Sequence, residues 1–142
     1  MSGHMERREF VALCATAAAG LLAGCVSMVT HPVPMSGGRV RVSIPAFPDL
    51  AESNGAIKLQ PAGHPDPIYV LAGASGFAAL SPICTHRGCT VDVNGSRLVC
   101  PCHGSTYDRE GRVLKGPAER ALRRYQVSRE GDSLVIDLGG GS

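Results

Sequence analysis

The sequence has no tryptophan, and three Tyr and three Phe bring its aromatic content to only 4%. Sequence-tolerant binding of single-stranded nucleic acid needs aromatic faces for stacking and a basic groove along the backbone. The chain offers neither, because 14 Lys+Arg stand against 12 Asp+Glu, a formal net charge of +2, with no long basic stripe. Nucleic acid is therefore not an expected partner. Beyond the N-terminal stretch there is no sustained helical period, no internal repeat and no phosphate-cradling glycine loop. No nucleophile with a base and no paired carboxylates are evident, so catalysis by this chain alone is not expected.

What the chain does have is turn chemistry and cysteine. With 18 Gly and 10 Pro in 142 residues, it reads as one ordinary all-β domain of short antiparallel strands. Arg39 to Ile44 alternates polar and apolar residues, as a half-buried strand does, and Pro45 ends it. Further strands are expected at Ala56 to Gln60, Ile68 to Ala72, Phe77 to Leu80, Thr90 to Val93, Arg97 to Cys100, Arg112 to Lys115, Leu122 to Ser128 and Ser133 to Leu138. Asn94-Gly95 between two of these is a strong hairpin signal, since both residues tolerate the positive φ of such a turn. His4, His31 and His64 are expected to be exposed.

The N-terminal 25 residues read as an export signal or membrane anchor. Glu6-Arg7-Arg8-Glu9-Phe10 resembles a twin-arginine export signal, although the flanking glutamates depart from the usual pattern. Phe10 to Thr30 then runs without a charge, and Leu22-Ala23-Gly24-Cys25 resembles a bacterial lipobox, in which Cys25 would be lipidated. Either outcome tethers the domain to a membrane, at the periplasmic side of the bacterial cell envelope. Residues 26–38, rich in Pro, Ser, Gly and Thr, read as a flexible tether, and the domain is expected over 39–142.

Four of the six cysteines crowd into two motifs, Cys84-Thr85-His86-Arg87-Gly88-Cys89 and Cys100-Pro101-Cys102-His103-Gly104-Ser105. Cysteine and histidine lie two apart in the first and three apart in the second. Each motif can therefore give one thiolate and one imidazole to a shared site, and the expected hairpin folds one motif back beside the other. On the residues alone, this inventory suits a structural Cys2His2 zinc module or an iron-sulfur cluster, and a plain disulfide-stapled domain would leave both histidines unexplained.

The two motifs resemble the cluster-binding boxes of the Rieske family, specifically the branch found in quinol-oxidising cytochrome bc complexes. The resemblance implies a Rieske-like sandwich with a small cluster-binding part at about 82–118 and a 2Fe-2S cluster. Cys84 and Cys100 would bind one iron, His86 and His103 the other, and Cys89 and Cys102 would form a disulfide. It also implies that Ser105 and Tyr107 donate hydrogen bonds to cluster sulfur, and that Gly116-Pro117 begins a loop covering the cluster. The reduction potential would then lie high in the range of about −150 to +300 mV spanned by Rieske centres.

The implied function is that of a high-potential one-electron carrier, a subunit of a membrane quinol-oxidising complex working with redox partner proteins and quinol. The alternative is the small Rieske subunit of a periplasmic molybdoenzyme such as arsenite oxidase. Two departures from the bc-type pattern bear on this choice. Arg87 stands where an apolar residue is usual, and the link between the boxes is shorter. A cation at that place favours an acidic docking surface.

Overall fold

The computed structural model describes residues 28–139. The expected export signal and Cys25 lie outside them. Among the described residues no helix is long and apolar enough to cross a membrane. The elements are β1 (Thr30–Val33), β2 (Arg39–Ser43), β3 (Ala56–Pro61), β4 (Ile68–Gly73), β5 (Gly76–Leu80), β6 (Asp92–Asn94), β7 (Arg97–Val99), β8 (Thr106–Tyr107), β9 (Val113–Lys115), β10 (Arg124–Glu130) and β11 (Ser133–Asp137). Two 3₁₀ turns, Ile44–Ala46 and Pro48–Ala51, follow β2, each with a proline in its first two residues. The all-β expectation holds, and nine of the eleven strands fall within a few residues of those read from the sequence, whereas β1 and β8 were not expected.

Seven strands form one sheet in the order β1-β3-β4-β5-β10-β11-β2, and four form a second in the order β6-β7-β8-β9. β10 changes partner along its length: Arg124 and Tyr125 pair with β5, whereas Gln126 to Glu130 pair with β11. That switch folds the larger sheet over itself and encloses one core. Val40 and Val42 of β2 and Leu134 and Ile136 of β11 share it with Ile57, Leu59, Ile68 and Val70 of β3 and β4.

β4 explains how a second core arises. Its sequence Ile-Tyr-Val-Leu-Ala does not alternate, because both of its faces are buried. Ile68 and Val70 point into the first core, while Tyr69 and Leu71 join Leu80, Val91, Leu98, Tyr107 and Leu122 in another. This second core also contains Cys84 and Cys100. The small sheet is thus packed on the outer face of the large one, and the two motif cysteines sit in the seam's apolar filling.

Two expectations are corrected. Residues 26–38 were expected to be a tether, with the domain starting at 39, but Thr30–Val33 pairs in parallel with β3, from Thr30↔Lys58 to Val33↔Pro61. The edge of β3 offers unpaired N–H and C=O groups to any extended segment, and this demand of the partner edge is invisible in the paired segment's own sequence. The same pairing half-buries His31, whose ring meets Phe47 edge to face at 5.1 Å, rather than leaving it exposed. His64 is also half-buried, 6.4 Å from the Tyr125 ring.

Arg109 fastens the small sheet to the large one. It is only 8% exposed, yet no carboxylate pairs with it among the described residues. Its guanidinium donates instead to three backbone carbonyls, Ala72 at 3.1 Å, Gly95 at 2.7 Å and Gly55. Gly55 and Ala72 belong to the large sheet's side, and Gly95 to the β6–β7 turn. Substituting Arg109→Met removes all three bonds and leaves the carbonyls short of donors. A loss of about 2 kcal/mol in unfolding free energy is expected by urea denaturation, against no loss if the carbonyls simply rehydrate.

Candidate metal centre

The two motifs are local copies of one loop. In the first, the Cys84 N–H donates to the Cys89 carbonyl at 2.7 Å and the Gly88 N–H to the Cys84 carbonyl at 2.9 Å. In the second, the Cys100 N–H donates to the Ser105 carbonyl at 2.8 Å and the Gly104 N–H to the Cys100 carbonyl at 2.9 Å. Each loop can close only because its fifth residue takes a left-handed conformation, φ 81° at Gly88 and 79° at Gly104. No atom lies close to either glycine's missing Cβ, so backbone conformation rather than space calls for glycine there.

Strand ends deliver the loops to one place. Ile83 and Thr90 bridge at the base of the first, and β7 and β8 flank the second. The β6–β7 hairpin expected from Asn94-Gly95 forms one residue further on. Asn94 pairs with Arg97, so Gly95 and Ser96 make the turn, and only Gly95 needs positive φ, at 57°.

The two loops bear two thiols and two imidazoles. Cys84 and Cys100 are free thiols, 3% and 2% exposed. The His86 and His103 rings lie nearer solvent, 4.9 Å apart and nearly perpendicular at 88°. Cys89 and Cys102 form the expected disulfide, joining the two loops. The sulfurs of Cys89, Cys100 and Cys102 lie within 4.8 Å of one another, but the bridged pair has no thiolate to give, so that trio is not a ligand set.

Tyr107, fully buried, brings its Oη to 3.2 Å from Cys84 Sγ. The Thr85 hydroxyl gives its proton to the Arg120 carbonyl at 2.6 Å, and the Thr85 N–H donates to Tyr107 Oη at 3.3 Å. That leaves the Tyr107 hydroxyl two acceptors within reach, Thr85 Oγ1 at 3.1 Å and Cys84 Sγ, and toward an ionised Cys84, which has no proton of its own, Tyr107 is the donor. Burial alone would raise the Cys84 thiol. The Tyr107 hydroxyl, the His86 N–H, the Cys100 thiol and the Arg87 N–H outweigh it and hold the thiol below its ordinary range. Tyr107 moves the opposite way, raised by burial and by its bond to Cys84. Thr85 was not singled out in the sequence, where its position between Cys84 and His86 was the only clue.

Ser105 is also fully buried and accepts the Ala118 N–H at 3.0 Å. Its own proton has no acceptor among the described residues. The same bond seats Gly116-Pro117-Ala118 beside the second loop, where Gly116 and Pro117 are exposed and Ala118 is buried. Two ionisable thiols on the inner side, two imidazoles on the outer side and a buried hydroxyl with a spare proton fit a cluster with sulfur and nitrogen ligands.

Known proteins agree with this geometry. Residues 50–126 match the Rieske [2Fe-2S] domain. The cytochrome b6-f complex iron-sulfur subunit of Prochlorococcus marinus (strain MIT 9215) is 41% identical over 76 residues, 50% of this chain and 43% of that protein. The chain thus spans less than half the length of that relative. The subunit of the same name from Synechococcus sp. (strain WH7803) is 31% identical over 150 residues, 93% of this chain and 84% of the relative. A chain in the complex of reduced oxygenase and oxidized ferredoxin in carbazole 1,9a-dioxygenase shares the fold, with a TM-score of 0.60 at 17% identity over 75% of this chain and 98% of that one. With more than half of the sequence inside one domain pattern and the paired loops, bridge and free thiols all in place, the chain belongs to the Rieske family and carries a 2Fe-2S cluster.

Proposed function

We propose that this protein is a high-potential one-electron carrier, the iron-sulfur subunit of a membrane quinol-oxidising complex of the cytochrome bc type. Cys84 and Cys100 are the thiolate ligands, and His86 and His103 the imidazole ligands. The bond from the Tyr107 hydroxyl to Cys84 Sγ carries the reading. The names of the relatives support the complex, being subunits of cytochrome b6-f, and lend nothing to a molybdoenzyme partner.

The bound cluster supplies a one-electron couple, raised in potential because two neutral imidazoles replace two thiolates. The rest of the work belongs to the chain. Tyr107 draws charge from the Cys84 thiolate sulfur, which favours accepting an electron, and the Thr85 N–H, donating to Tyr107 Oη, holds that hydroxyl in place. Ser105 holds the 116–118 segment with one lone pair and keeps its proton for the site. The buried thiols lie on the apolar side of the loops, so water is kept from the sulfur ligands. His86 and His103 face outward, each with one ring nitrogen left to carry a proton to or from a partner.

Tyr107→Phe keeps the ring and deletes the donated bond. A hydrogen bond to a charged acceptor contributes about 1.5 to 3 kcal/mol, of which only the difference between redox states enters the potential. A fall of roughly 50 mV is expected in a titration followed by the reduced-state paramagnetic resonance. Ser105→Ala should lower the midpoint too, and midpoints unmoved in both variants would refute their roles. Co-purification of the chain from native membranes with haem-containing subunits, followed through the same resonance, tests the assignment to a quinol-oxidising complex.

A further inference from the structure

The charges of this molecule are sorted along its length. Residues 82–123, which hold both loops, carry seven Lys/Arg against four Asp/Glu, whereas the other described residues carry five against six. Both ion pairs among the described residues, Arg39–Asp137 and Arg41–Glu130, lie in the large sheet, away from the loops. The excess positive charge at the cluster end is therefore not cancelled by side-chain partners there.

Three of those cations belong to segments that frame the two histidines. Arg87 follows His86 directly and is exposed. Arg120 is exposed, and its carbonyl accepts the proton of Thr85, which places its backbone against the residue before His86. Lys115 is exposed at the end of β9, and Gly116-Pro117-Ala118 runs on from it to the bond with Ser105 in the second loop. Glu119 is the single exposed acid in this frame. The acids further off are partly spent: Asp108 Oδ1 accepts the N–H groups of Glu110 and Arg112.

We propose that the rim of Arg87, Lys115 and Arg120 around the His86–His103 edge is a docking surface for a redox partner that presents an acidic patch. Resting on the reading of that edge as the electron's exit, the inference adds the sign of the surface that meets it. A field of one sign around an exit steers an oppositely charged partner toward the productive orientation and repels a cationic one. Such steering is screened over about 8 Å at physiological ionic strength, so salt should slow the encounter without altering the site.

The test uses the cluster-loaded protein and two small oxidants of opposite charge, ferricyanide and tris(phenanthroline)cobalt(III), mixed with the reduced protein in a stopped-flow instrument. Ferricyanide is expected to react more slowly as salt rises from about 10 to about 500 mM, by roughly tenfold, and the cobalt complex to react faster. Arg87→Glu combined with Arg120→Glu should weaken or invert both trends. Arg129→Glu, on β10 in the large sheet, changes net charge by two units away from the loops and should leave most of the trend intact. Addition of polyglutamate should slow oxidation of the wild type by ferricyanide, and of the double variant less.

Equal salt profiles for the two oxidants would overturn the proposal, as would a double variant whose profile shifts no more, per charge changed, than that of Arg129→Glu. Loss of the reduced-state resonance before mixing is a different failure, and it would sink the reading of the ligand set instead.

Discussion

Cys100→Ser is expected to leave a folded chain with no cluster. Cys100 is 2% exposed, and its N–H and C=O close the second loop through Ser105 and Gly104, so a near-isosteric serine keeps those backbone bonds. What it removes is the thiolate. A hydroxyl does not ionise in an apolar seam, and iron in a sulfur-ligated cluster needs an anionic soft donor there. His103→Ala should act alike from the other side, opening the imidazole pair that stands 4.9 Å apart. Iron and acid-labile sulfide analysis of both variants should therefore give nothing, with the reduced-state resonance absent and far-ultraviolet circular dichroism preserved. Either variant retaining full iron and sulfide would remove that residue from the ligand set. Wild-type protein containing one zinc and no sulfide would remove the cluster altogether.

The two loops were legible because metal chemistry demands specific residues at close spacing, and the backbone copies of the loop then follow from glycine at the fifth place. The strands of the large sheet were legible for another reason. Alternation in Arg39 to Ser43 and the unbroken apolar run of β4 report burial directly. Where the sequence carried less, the cause is that the decisive contact lies in another segment. β1 is defined by the open edge of β3, and β8, only two residues long, by its neighbours β7 and β9. The Asn94-Gly95 turn slid by one residue because the pairing of Asp92↔Val99 and Val93↔Leu98, not the turn dipeptide, sets the register. Arg109 shows the same limit most clearly. An arginine between Asp108 and Glu110 reads as a solvated charge, and only the meeting of Gly55, Ala72 and Gly95 carbonyls around it makes it a buried fastening.

Removing the disulfide should cost more than removing Arg109. Cys89 and Cys102 are 13 residues apart, and closing a loop of that size restricts the unfolded chain by about 3 kcal/mol at 25 °C. The bridge also ties together two loops that are otherwise joined through the short β6–β7 hairpin. The double substitution Cys89→Ser/Cys102→Ser is expected to lower the denaturation midpoint accordingly, and an unchanged midpoint would show that hairpin and core suffice. The single substitutions should be worse than the double for cluster content, although each alters less of the protein. Cys102→Ser frees the Cys89 thiol, and Cys89→Ser frees that of Cys102, in either case within 4.8 Å of the Cys100 sulfur. Air oxidation can then take two electrons from the new pair and form a bridge that consumes a ligand. Iron content should fall in the order wild type, double, single variants, and a single variant that loads as well as the double would show that Cys100 is out of reach of its neighbours' chemistry.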